Sequence, residues 1–235
     1  MPRSNAPHGR TGRPPVTSRA RILAAARQII ERDGWEKLTV RRLAGELGIG
    51  TTTLYHHVRD REDLLVQLLN EHLDQTLRPD LPGEPRDRIV AAATAIHDSL
   101  AAWPSAAEIL TVDGFLGRLG EPALRVVETI VAGAVDAGCT PTQAANVFRS
   151  TWYYTVGEIL VRAHSAHSTH RRAGDERPAD RDAFFGAVDM SGMPSLAAIG
   201  DEWPALAARD TYVPGLRAFV DGLLAQAVAG AESGA

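Results

Sequence analysis

The chain of 235 residues is long enough for one large or two small domains, and its 44% hydrophobic content can fill a sizeable core. Its formal net charge of −4 hides an asymmetry: residues 1–59 hold eleven Lys/Arg against four Asp/Glu, a balance of +7, while the remaining residues balance at −11. A lone Cys139 excludes an intramolecular disulfide, no apolar run approaches the roughly 18 residues of a membrane span, and the N-terminus lacks a signal peptide's apolar stretch, so a reducing cytoplasm is the expected location.

Residues 1–16 are rich in Arg, Gly and Pro without apolar periodicity, and are expected to form a disordered basic arm. A first helix starts at a Thr17/Ser18 cap, with Ile22, Leu23, Ala26, Ile29 and Ile30 on one face, and ends at Gly34. Thr39 caps a second helix with Val40, Leu43, Ala44 and Leu47 inward. Gly48 supplies a turn. A third helix is predicted over about Thr51 to His57, burying Leu54 and Val58. Asp60 caps a fourth helix over 60–77, with Asp63 in the capping-box position and a leucine stripe at 64, 65, 68, 69, 73 and 77. The run RPDLPGEP from 78 breaks the pattern. The expected division is a helix-turn-helix domain over 17–63 and a body over 64–235, with the fourth helix as connector.

The body also reads as helical. Helices are predicted over 86–102, 122–137, 141–163 and 214–229, with 105–118 ambiguous. A further helix over 194–209 is expected to break near Trp203-Pro204. Residues 164–182 are polar and read as a mobile loop. With no strand pattern and no internal repeat, the expected fold class is all-α.

A helix that enters the DNA major groove must be short, docked on another helix and polar outward. Thr51, Thr52, Thr53, Tyr55, His56 and His57 meet the last condition. Threonine methyls pack on the thymine methyl, and Arg41 is placed to take a guanine in a bidentate contact, worth about 1–3 kcal/mol of discrimination. Arg59 and Arg61, with the amides that open the fourth helix, suit phosphate, and Thr39 adds a hydroxyl or its capped amides. Arg10 and Arg13 in the arm suit a narrow minor groove. A basic head on an acidic body fits a chain whose head DNA attracts and whose body it repels.

Three motifs stand in order: L-T-V-R-x-L-A from Leu38, L-G-I-G-x-x-x-L-Y-x-H from Leu47, and D-R-E-D-L-L from Asp60. Over residues 18–70 the chain resembles the TetR family of bacterial transcriptional regulators. The resemblance puts Thr39, Arg41, Thr51, Thr52, Thr53, Tyr55, His56 and His57 on DNA-facing positions and Arg61 on a phosphate-binding one. It implies an all-α fold, with an N-terminal three-helix DNA-binding domain and a C-terminal helical ligand-binding and dimerisation domain. It implies also a homodimer on a pseudo-palindromic operator. The final helix, through Leu216, Phe219, Val220, Leu223 and Leu224, is then the expected interface, partnered by 141–163 in a four-helix bundle.

Expected pocket residues are Ile96, His97, Leu100, Trp103, Leu110 and Phe115, with Leu119 and Val127. From the long helix come Phe148, Arg149, Trp152, Tyr153 and Val156. Large rings with polar tips in Trp152-Tyr153-Tyr154 suit a planar, partly polar ligand, with His97, Arg149 and Thr155 as polar contacts. The junction Gly138-Cys139-Thr140-Pro141 and the run YVPGLRAFVDGLL are similar to the tetracycline-repressor branch. The chain departs from that branch, with Leu110 at its metal-binding histidine position and with Leu77 and Ala92 at its polar drug contacts. The departures argue against a magnesium–tetracycline complex and for a bulky apolar or aromatic effector.

No phosphate loop, G-x-S-x-G or H-E-x-x-H occurs, so no catalytic residue, metal or cofactor is expected. His164, His167 and His170 would share a face only on a helix. In the expected loop they read as solvated. Cys139 has no basic neighbour to lower its pKa and reads as a plain loop residue. The expected function is a ligand-responsive repressor. The alternatives are an antibiotic-sequestering protein with a vestigial DNA head, against which Arg41, Tyr55 and Arg61 speak, and a constitutive DNA binder.

Overall fold

A computed structural model describes residues 17–77, 81–111, 114–172 and 188–232. Arg10 and Arg13 lie outside the described residues. The elements are helical throughout, with no strand among the described residues. Two compact units divide between Glu71 and His72.

In the first unit, α1 (Arg19–Asp33) is capped by Ser18, whose hydroxyl accepts from the Arg21 amide. A 3-10 turn (Trp35–Lys37) leads to α2 (Val40–Leu47), where Thr39 accepts from the Arg42 amide. Gly48 ends α2 in the left-handed region (φ 66°, ψ 32°), which an L side chain enters only at a cost, and so turns the chain into α3 (Thr51–Tyr55). The helices α1 and α2 pack together, and α3 packs on α2. Ile22, Ile29, Leu38, Leu43 and Leu54 are fully buried, and Val58 is buried with them. The next helix, α4 (Arg61–Thr76), begins in this unit and ends in the second.

The second unit contains α5 (Pro85–Ala101), α6 (Pro104–Ile109), a 3-10 turn (Phe115–Arg118), α7 (Glu121–Asp136) and α8 (Pro141–Arg172). Two short helices, α9 (Pro194–Ile199) and α10 (Trp203–Ala207), precede α11 (Tyr212–Glu232). Proline opens α5 and α6 and sits in the first turn of α7, where its missing amide costs no helical hydrogen bond. α5 packs on α7 and α8, and α11 packs on α5 and α8. Gly133 lets α7 approach α5 closely: a Cβ there would meet Ile89 Cγ1 at 2.9 Å and the Pro85 carbonyl at 3.0 Å. Arg86 grips Asp221 through two guanidinium nitrogens, and Arg217 reaches Asp87 at 3.0 Å, so two ion pairs join α5 to α11. The Arg86 hydrogen bond holds the Asp221 carboxyl below its ordinary range.

Two expectations are corrected. The polar stretch read as a loop from 164 continues α8 as far as Arg172. Apolar periodicity does not register a helix whose outer turns face water, and His, Ser and Arg are compatible with helix there. His164, His167 and His170 therefore stand on helical backbone. The His164 ring lies 2.7 Å from the Leu160 carbonyl, and no metal-ligating cluster of three occurs among the described residues. The second correction concerns the final helix. Leu216 and Val220 are 0% exposed inside their own chain, so they belong to its core and cannot present surface to a partner. Phe219, Leu223 and Leu224 are half-buried, with Phe219 stacked on Tyr154 at 5.4 Å.

Candidate DNA-binding face and ligand cleft

The short α3 is held by one side chain. Leu54 is fully buried, while Thr51, Thr52, Thr53 and Tyr55 around it are exposed, Tyr55 by 54%. His56 and His57 follow, also exposed. An inward leucine amid outward hydroxyls, a phenol and imidazoles gives the helix one docking face and one reading face. Arg41 and Thr39 are exposed nearby in sequence at the start of α2. The flanking acids are already matched: Asp33 receives Arg42 at 2.5 Å and Arg32 at 2.7 Å, and Glu46 receives Arg32 at 3.2 Å. Pairing these carboxylates reduces repulsion toward a polyanion.

The start of α4 differs from expectation. Asp60 accepts from the Asp63 amide at 2.8 Å, and the Asp63 carboxylate accepts from the Arg59 amide at 2.9 Å. These amides were expected to meet phosphate but are capped by the protein's own acids. Arg61, which the family resemblance places on phosphate, donates Nε to the Leu38 carbonyl (2.7 Å) and Nη2 to the Trp35 carbonyl (3.0 Å), and its guanidinium lies 5.0 Å from the centre of the Trp35 ring. In this structure Arg61 pins the α1–α2 connection to α4. Arg59 is exposed.

In the second unit, Leu73 and Leu77 at the end of α4 line a closed apolar cavity together with Ile96, Leu100, Leu110, Phe115, Leu119, Ala123, Val127, Phe148 and Trp152. Its free space of about 30 Å³ holds little more than a water or two. Phe115 and Trp152 stack at 5.0 Å and form a shared wall. Beyond that wall an open cleft of about 580 Å³ runs between α8 and the 110–116 segment. Leu110, Phe115, Phe148, Arg149, Trp152, Tyr153 and Val156 line it, joined by Thr111, Gly114, Leu116, Ala145 and Gly157, which sequence reasoning did not select. Small residues at 114, 145 and 157 carry no apolar signal; what they contribute is room. The same holds for Ala123, while Leu73 and Leu77 were read only as helix stripe.

His97 and Trp103, expected in the pocket, line neither space. One residue on from Ile96 is about 100° around a helix, and His97 faces α8 and α11 instead. Its Nε2 lies 2.7 Å from Glu158, its Nδ1 lies 3.0 Å from Asp98, and the ring stacks on Tyr212 at 3.8 Å. The Tyr212 hydroxyl donates to the Ala93 carbonyl (3.2 Å) and sits 2.9 Å from Thr155 Oγ1, so Thr155 also belongs to this polar seam. Burial above all, with the nearby Glu158 charge adding to it, holds the Tyr212 phenol well above the ordinary tyrosine range. Tyr154 is raised for the same two reasons. Trp103 instead packs edge-on to His72 at 5.8 Å. His72 in turn lies 2.8 Å from the Ser99 carbonyl, and Thr76 and Ser99 share a 2.5 Å hydroxyl contact. These bonds tie the end of α4 to α5. Cys139 is buried, and burial raises its thiol pKa, which makes it a weak nucleophile.

Comparison with known proteins agrees with this geometry. Residues 22–68 match the family model for bacterial regulatory proteins of the tetR family. The chain is 26% identical over 205 residues to the class A tetracycline repressor protein from transposon 1721 of Escherichia coli, covering 86% of this chain and 88% of that one. A possible TetR family transcriptional regulator from Streptomyces coelicolor A3(2) superposes with a TM-score of 0.65 at 26% identity, covering 88% of this chain and 99% of that one. The Streptomyces coelicolor TetR family protein ActR, solved in complex with (S)-DNPA, shares the fold at a TM-score of 0.67 and 22% identity, covering 90% and 98%. No helix among the described residues is long and apolar enough to cross a membrane. A helix-turn-helix with its reading face outward, on an all-helical chain that follows these regulators over most of its length, makes this protein a member of the TetR family of bacterial transcriptional regulators.

Proposed function

We propose that this regulator is a ligand-responsive repressor. Two copies bind a pseudo-palindromic operator, and a small, largely apolar or aromatic effector releases them. The observation that carries the reading is the pairing of an exposed polar reading face on α3 with an aromatic cleft in the second unit. A single short reading helix makes few base contacts, and two heads related by a two-fold axis double them. The dimer surface in this reading is the outer side of α8 and α11, with Phe219, Leu223 and Leu224 as the apolar contribution. Thr51, Thr52, Thr53, Tyr55, His56 and His57 read the groove, Arg41 takes a guanine, and Thr39 and Arg59 hold phosphate.

Helix α4 is the transmitter. Its first turn belongs to the unit that carries α3, and its end lines the closed cavity through Leu73 and Leu77. A ligand that pushes on the Phe115–Trp152 wall changes the space those leucines occupy. It shifts the population only so far as it prefers the arrangement that cannot bind DNA. The His72 and Thr76 bonds to Ser99 define the arrangement that must give way.

The test is titration of the purified protein onto DNA from upstream of its own gene, at two salt concentrations and against random competitor. Competitor-resistant binding at two chains per site supports the reading. Binding equal to random DNA for every genomic fragment sinks it and favours a sequestering protein. Leu73→Ala should alter effector release more than operator affinity without effector; equal changes in both would remove α4 from the transmitting role.

A further inference from the structure

We infer that the cleft takes a flat aromatic ligand bearing an acidic group, with the acid on Arg149 and the ring system against Phe115, Phe148 and Trp152. The inference rests on the proposed reading of the second unit as the effector-binding unit and narrows its ligand to one chemical class. The cleft residues decide it. Among those described, Arg149 is the one charged side chain, and the others are apolar, aromatic or small, with Thr111 and Tyr153 as neutral polar groups. A guanidinium keeps its charge at every physiological pH and presents a planar fork of donors that suits a carboxylate or phenolate.

The position of that fork is prepared. Arg149 Nη2 donates to the Tyr153 hydroxyl at 3.2 Å, and the guanidinium carbon sits 5.7 Å from the Tyr153 ring centre. One turn apart on α8, the two side chains form a cationic, aromatic lip: Arg149 is exposed, and Tyr153 is 62% exposed. The opposite side of the cleft is the stacked Phe115–Trp152 pair, with Phe148 beside it. A ligand with its rings on that pair and its anion at the lip satisfies both ends at once. With a volume of about 580 Å³, the cleft has space for a fused tricyclic compound, which the 30 Å³ cavity behind it has not. Charge on the ligand gives the contact its direction, since an Arg–carboxylate pair bordered by aromatic walls is stronger than the same pair in open water.

The test uses the full-length chain and two probes that differ only in charge, anthraquinone-2-carboxylate and anthraquinone-2-carboxamide, with binding read by calorimetry and by quenching of tryptophan fluorescence. The acid should bind at least about tenfold more tightly than the amide, the size of one charge-assisted contact. In Arg149→Gln the ratio should fall to about one while amide binding is kept, and Arg149→Lys should recover part of the preference. Circular dichroism verifies that the variants are folded. Ala145→Trp, which fills the cleft, should weaken both probes. Equal affinities in the parent chain, a preference that survives Arg149→Gln, undiminished binding to Ala145→Trp, or binding of neither probe would each overturn the inference. Release of bound operator by the acid is scored separately. Selective binding of the acid without release keeps the ligand class and rejects the repressor reading.

Discussion

The two units solve opposite problems with the same helices. In the first, the residues that matter face outward: α3 keeps Leu54 for its own docking and offers every neighbouring side chain to solvent. In the second they face inward, onto a cleft and a cavity enclosed by α5, α6, α7 and α8. An outward reading face needs only a rigid support of a few apolar contacts. An inward one must leave space in a packed interior, and space is set by many side chains at once. The head should therefore fail all at once when its single anchor is lost, whereas the body should respond by degrees to changes in volume.

The largest effect expected from this contrast is at that anchor. Leu54→Ala should destabilise the head by about 2–5 kcal/mol, by lost transfer energy and a residual cavity. Hydrogen exchange over α2 and α3 should rise and DNA binding should vanish, while protection of α7 and α8 persists. Unchanged exchange in α3 would show that the helix does not depend on Leu54. Next comes the body's closest helix approach. Gly133→Leu should cost about 1–3 kcal/mol by overpacking against Ile89 and the Pro85 carbonyl, visible as a lower urea midpoint. A midpoint at the parent value would mean that α5 and α7 separate freely.

Arg41→Ala bears on function rather than folding. It should remove about 1–3 kcal/mol of discrimination between operator and random DNA and leave the melting temperature alone. An equal loss on both DNAs would reassign Arg41 to phosphate. The smallest effect, nil at neutral pH, comes from Tyr212. Its folded-state pKa lies above the unfolded value, because burial disfavours the phenolate. Its neutral form thus supports the fold fully below the ordinary tyrosine pKa of about 10, and that support is lost as pH rises through the folded value. Alkaline titration followed at the tyrosinate absorbance should show Tyr212 ionising only with unfolding, and Tyr212→Phe should shift that transition. Coincident, reversible titration of all four tyrosines without unfolding would contradict the buried seam.

How far the chain could be read in advance follows the same division. The Ser18 and Thr39 caps, the Gly48 turn and the inward Leu54 were legible because each is a local event within a few residues. Ile96, Leu100, Leu110, Phe115, Phe148 and Trp152 were selected as large apolar or aromatic residues on predicted helices, and the fold brings them together. His97 was selected on the same grounds and faces elsewhere, toward Glu158 and Tyr212. Arg61 looked like a phosphate ligand, since sequence does not tell that two backbone carbonyls stand within its reach.

The sequence by itself determined the helix-turn-helix, the all-helical class and the aromatic character of the body. Caps, a left-handed glycine and a 3.6-residue period act along the chain, and no distant residue is needed to read them. Tertiary structure alone decided that Leu216 and Val220 are core rather than interface, and that the space lies on one side of the Phe115–Trp152 wall. It also decided that α8 runs on to Arg172. A stripe of apolar residues reports that a helix face is buried, but not against what. Only the helix that packs there chooses between core, cleft and partner.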